Sequence, residues 1–288
     1  INGLGLLPGR GNPVGTTNPK QAQKKRLSHR LRSMAADHVI IDLPASSDYN
    51  TLDLFLVADL NIVVTTPEPT AIESAFRLVK SAMVRKARSL KGLGPLLEEL
   101  APGAHFGIPT PVQLARLAEE RDPALGDKLA QLMERFRPRL VLNKTRTRDD
   151  LELGPFLAVV GRRHLGLPFD YLGYVEHDDV VWVAVRKRRP LLVDYPEAKV
   201  SKDIERITRR VVSLESKERP ECQHLPKTLD EQNHYEILGL HPGATEEEAR
   251  RAQRRMRRLY GPDSCAIHGV APDQEVLEMR NRIDAAQA

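Results

Sequence analysis

Few residues in this chain combine a reactive type with a suggestive position. Asp42 closes the apolar run Val39 to Leu43 in HVIIDLPAS, and a second run, Asn61 to Thr66, leads into a Pro-Glu-Pro turn. A third run, Leu140 to Leu142, ends in Asn143. Apolar, β-branched runs bounded by turn formers predict strands buried on both faces, as a parallel sheet requires. In open α/β sheets ligands bind outside the carboxyl ends of the strands. Asp42 therefore stands where a carboxylate can position a cation or its water. Asn143 stands where one amide offers a donor and an acceptor together. Both residues are also common turn formers after a strand, which is their plain reading.

Other chemistries find less support. Cys222 and Cys265, the two cysteines, lie far apart with no C-x-x-C partner, so neither a disulfide framework nor a zinc site is indicated. The nine histidines show no H-E-x-x-H spacing. With 288 residues, 41% of them hydrophobic, the chain is long enough for one α/β core and a small appendage. It has no apolar run of eighteen residues, so a soluble, cytoplasmic protein is expected. The net charge of +5 comes from local Arg and Lys clusters. Such clusters permit contact with DNA, acidic lipid or acidic protein and require none of them.

The elements that must position Asp42 and Asn143 follow from periodicity. Gly9 to Lys20 reads as a loop whose glycines at 9, 11 and 15 do not fit G-x-G-x-x-G. Helices are expected over 20–34, over 71–90 with Ile72, Phe76, Val79 and Met83 inward, and over 149–165. Residues 92–111 read as a connector and 111–136 as one further helical pattern, together an excursion between core strands. A strand is expected from Leu167 to Val175. The polar, Pro-containing stretch 214–232 reads as a linker. Beyond it Thr245 caps a helix with Glu248 three residues on, and Ala249, Ala252, Met256 and Leu259 form its apolar stripe.

Taken together, DLPAS, then ADLNIVVTTPEPTAIESAFRLVK, LVLNK, GYVEHD and RRPLLVDYPEAKVSKDIERI resemble the deviant Walker ATPases of the MinD and ParA type. The resemblance implies an α/β fold whose mostly parallel, doubly wound sheet is of P-loop NTPase type, with a helical insertion and a small all-α C-terminal domain. It implies ATP and Mg²⁺ as cofactors and an ATP-bound homodimer. Asp42 would hold Mg²⁺ through water, the 44–50 loop with Pro44 and Ser46 would sense the γ-phosphate, and Asn143 would read adenine. Val175 and Glu176 occupy the places of the apolar residue and the Pro whose backbone lies against the base. Ser46 stands for the family's Gly, and Glu176 for its Pro. No G-x-x-x-x-G-K-S/T or K-G-G-x-G-K-S/T string occurs. Since the chain opens on the apolar run Gly3 to Leu7, expected to be a strand, the first strand with its phosphate loop is expected to be missing.

Residues 233–288 resemble a J-domain whose His-Pro-Asp loop reads Gly261, Pro262, Asp263. That departure implies an interaction module for a protein partner, without stimulation of an Hsp70. The expected organisation is an ATPase domain over 1–213, the linker 214–232 and the module 233–288. The expected function is an ATP-dependent dimerising switch that positions a flagellum, a division site or a chromosome. The alternative is a degenerate scaffold that binds partners through the J-like module. A location peripheral to membrane or nucleoid is compatible with the basic clusters, Arg186 to Arg189 among them, whose plain reading is a solvated turn.

Overall fold

The computed structural model describes residues 4–7, 21–100, 109–215, 227, 229–262, 264, 267 and 270–286. Its contacts divide the chain into two units, Ile1–Asp59 and Leu60–Ala288.

The N-terminal unit contains α1 (Gln21–Arg32) and α2 (Tyr49–Phe55). Lys24 on α1 pairs with Asp53 on α2 at 2.7 Å, and Arg32 donates to the carbonyl of Val57. The two strands expected here do not form. Leu4–Leu7 and Val39–Leu43 carry no strand pairing, and Ile40 is 92% exposed. The reason is physical: β-branched residues favour an extended backbone, but a strand exists only when a neighbour takes its N–H and C=O groups. Among the described residues of this unit no strand offers itself as that neighbour.

The larger unit is a mixed α/β structure around a small, open, parallel sheet of order β1-β2-β3. β1 (Ile62–Thr65) is followed by α3 (Pro69–Ala87), α4 (Leu93–Leu100), α5 (Pro111–Arg121) and α6 (Pro123–Arg135) before β2 (Arg139–Thr145). Helix α7 (Arg148–Val160) runs into a π-helical turn, Gly161–Leu165, and leads to β3 (Asp170–Glu176). Then come α8 (Val180–Lys187), α9 (Leu191–Asp194) and α10 (Lys199–Glu215). The chain closes with α11 (His234–Leu238), α12 (Glu246–Leu259) and α13 (Asp273–Ala285). Parallel neighbours need long crossovers, and helices supply both of them.

Local chemistry explains most boundaries. Pro69 starts α3 at the position where a missing N–H costs nothing, and Ile72, Phe76, Val79 and Met83 are buried as their spacing requires. The pattern over 111–136 is two helices instead of one. Asp122 ends α5 and accepts the N–H of Ala124 at 3.0 Å, and Pro123 opens α6. The stretch read as a connector contains α4, whose Leu93, Leu96 and Leu97 are buried at i, i+3 and i+4. Strand β3 lies close to α7: a Cβ on Gly154 would stand 2.1 Å from the ring of Tyr171. Residues 216–226 and 228 of the expected linker lie outside the described residues.

Candidate functional site

Parallel pairing brings three strand ends to one edge of the sheet. Thr65 of β1 is in register with Leu142 of β2, and Asn143 is in register with Val175 of β3. The next pair is Thr145 with Glu176, so Lys144 is an extra residue in β2. Lys144 adopts a left-handed backbone, φ 58°. For a residue with a Cβ this costs about 1–2 kcal/mol. A bulge of this kind re-aims the side chain before it. The Oδ1 atom of Asn143 accepts the N–H of Lys144 at 2.9 Å, which leaves its second lone pair and the Nδ2 donors to present at the edge. Beyond the bulge the strands are tied again: His177 donates its N–H to the Thr145 carbonyl at 2.9 Å, and the Thr145 hydroxyl donates to the Val175 carbonyl at 3.4 Å.

The end of β3 is held by a residue that the sequence motifs passed over. Asp203 of α10 is 3% exposed, accepts the N–H of Glu176 at 2.9 Å and pairs with Arg206 at 2.7 Å. Arg210, two turns on, donates to the Leu172 carbonyl at 2.6 Å. The signal was present in the spacing. Val200, Asp203, Ile204 and Ile207 fall on one helical face, so Asp203 takes a core-facing place in an otherwise apolar stripe.

The other expected site residues belong to the N-terminal unit. Asp42 is exposed on an irregular stretch. The carbonyl of Pro44 accepts the N–H of Ser46 at 2.8 Å. The Ser46 hydroxyl donates to Asp48 Oδ2 at 2.7 Å, and Asp48 Oδ1 accepts the N–H groups of Asn50 and Thr51, capping α2. The Ser46 hydrogen bond, and then the Thr51 N–H, hold the Asp48 carboxyl down to about 2. In this loop Ser46 thus braces a helix cap. The structure brings Asn143, Val175 and Glu176 together, and Asp42, Pro44 and Ser46 belong to the N-terminal unit. Among the described residues no group of three or more His, Cys, Asp or Glu side chains converges on a metal position. A lone Asp42 is still compatible with Mg²⁺, which keeps several waters and leans on one or two carboxylates plus phosphate oxygens.

In the C-terminal helices Gly261 and Pro262 follow α12 directly, and Asp263 lies outside the described residues. These helices are held to α7 and its π turn by a polar node. Arg163 donates to the carbonyls of Glu236 and Ile237 at 3.1 and 2.9 Å and to the Tyr260 hydroxyl at 3.3 Å. His164 contacts the same hydroxyl at 3.1 Å and Glu275 at 3.2 Å. Burial raises the Tyr260 phenol above its ordinary pKa. Arg258 on α12 reaches back to Glu152 at 3.2 Å. A scan against protein-family models and a search of curated proteins each found no match for the chain.

Proposed function

We propose that this chain carries the base-reading edge and the Walker B stretch of a MinD/ParA-like ATPase, an ATP-dependent dimerising switch that positions or partitions a cellular structure. The observation that carries the reading is the register of Asn143 with Val175 at the carboxyl edge of a parallel sheet, beside the Thr-Pro-Glu-Pro turn that follows β1. In that reading the Asn143 amide takes the adenine edge and the Val175–Glu176 backbone lies against the base. Asp42 holds Mg²⁺ through water, and the Pro44–Ser46 turn approaches the γ-phosphate. The larger, doubly wound sheet this requires would add strands beside β1, an edge strand among the described residues, and would cover the face on which Ile62 and Val64 are exposed. Exposed apolar edge strands are normally blunted or covered, so they suit a sheet that continues.

The 288 residues contain no G-x-x-x-x-G-K-S/T or K-G-G-x-G-K-S/T string. The chain by itself is therefore expected to bind ATP without turning it over. Calorimetric titration tests this: Asn143→Ala weakens ATP binding about tenfold, the worth of a lost hydrogen-bonding group. Equal binding by the variant contradicts the reading, whereas steady turnover abolished by Asp42→Ala contradicts only the expected inactivity of the chain by itself. A second reading is favoured by the Arg163–Tyr260 node, which holds the J-like helices on the α/β core: a non-hydrolysing scaffold whose partner site is the docked module. Capture of a protein partner that requires residues 233–288 and ignores ATP would select it.

A further inference from the structure

Helix α8 turns an unusual face to water. Its buried residue is Ala184, whereas Trp182 is 61% exposed and Val185 70% exposed, with Val181 beside them. Helix α9, packed against α8, adds the exposed pair Leu192 and Val193. Surface helices of soluble domains show water their charged side, and a contiguous exposed apolar patch marks a place where something docks.

The chemistry of the partner follows from what surrounds the patch. From Val180 to Val193 there is no acidic residue, and four consecutive cations, Arg186 to Arg189, form the last turn of α8 and the residues just after it. The Arg186 guanidinium lies 4.6 Å from the centre of the Trp182 ring. Lys187 donates to the Tyr195 hydroxyl at 3.1 Å, which holds the lysine stem along the surface. Arg189 pairs with Asp194. Arg188 ends α8 in a left-handed conformation, φ 52°. The outward apolar side chains bear no hydrogen-bonding group other than the indole N–H, which suits a medium offering hydrocarbon and phosphate. Trp at a water–lipid boundary with Arg and Lys against anionic headgroups is the arrangement such a medium selects.

We infer that α8 and α9 form a peripheral docking surface for an anionic phospholipid bilayer. Trp182, Val185, Leu192 and Val193 enter the boundary between headgroups and acyl chains, and the cations meet lipid phosphates. No helix among the described residues is long and apolar enough to cross a membrane, so the contact is one of lying on the surface. The inference is independent of the nucleotide reading, because it uses no residue of the strand edge.

The chain contains one tryptophan, so emission excited selectively at tryptophan reports Trp182 alone. The full chain is titrated with vesicles of phosphatidylcholine and with vesicles that also contain phosphatidylglycerol. A blue shift with the anionic vesicles only is expected, together with co-sedimentation. Each cation removed, Arg188→Ala for example, weakens binding about fivefold. Val185→Asp and Val193→Asp, both at exposed positions, abolish the shift while circular dichroism stays unchanged; if one variant misfolds, the other decides. An emission unmoved by anionic vesicles overturns the inference, as does an equal response to neutral ones. A blue shift that grows with protein concentration in the absence of lipid assigns the surface to a second copy of this chain and overturns it too.

Discussion

Asp203 is the side chain on which the strand edge most depends. It is buried, and its two oxygens serve two different partners, the Glu176 N–H and the Arg206 guanidinium. Replacement by Ala leaves that N–H short of an acceptor and costs about 1–3 kcal/mol. Chemical denaturation should read this loss, with faster amide exchange at Glu176. An unchanged midpoint would mean that β3 is held by its strand pairing alone. Asp48 makes a separate prediction. Its folded pKa of about 2 lies below the ordinary 3.8. The stabilisation it gives the N-terminal unit is therefore fully present above the ordinary value and is lost as pH falls through about 2. Because the group is exposed, solvent screening keeps the effect small. Carboxyl carbon shifts of Asp48 followed through acid titration check the sign, and Ser46→Ala should move that titration upward.

Among the elements, the π turn after α7 ties the C-terminal helices to the α/β core. It puts Arg163 and His164 on consecutive residues, both reaching the Tyr260 hydroxyl. Tyr260→Phe removes the shared oxygen and leaves two polar groups seeking partners, at a cost of about 1–3 kcal/mol. Hydrogen exchange in α12 and α13 should quicken relative to α3, and uniform exchange would contradict the node's role. What the sequence revealed of these elements depended on how local their causes are. The strand at Leu140 to Leu142 and the helix from Pro69 declare themselves through short-range pattern and caps. Helix α4 was hidden by Gly92, Gly94 and Pro95, which stand around Leu93 and before Leu96 and Leu97 and read as breakers. Val39 to Leu43 misled in the opposite direction: its composition is that of a strand, but strand formation is settled by a neighbour that no local pattern encodes. Asp203 was readable only as an oddity of helical phase.

At the scale of the whole molecule, a small parallel sheet carries its candidate ligand edge at one end. Asn143 was legible as a strand end and Val175 and Glu176 through the resemblance, whereas their register and the bulge at Lys144 depend on pairing that no local pattern encodes. On the proposed function, this edge reads an adenine base. The most direct test is an amide NMR titration of the isotopically labelled chain with ATP and, in parallel, with GTP. ATP is expected to shift the Asn143 side-chain amide and the backbone signals of Val175 and Glu176, and GTP, whose base reverses the donor and acceptor, to leave them nearly in place. Signals at this edge that move equally with both nucleotides, or stay fixed while others move, would contradict it.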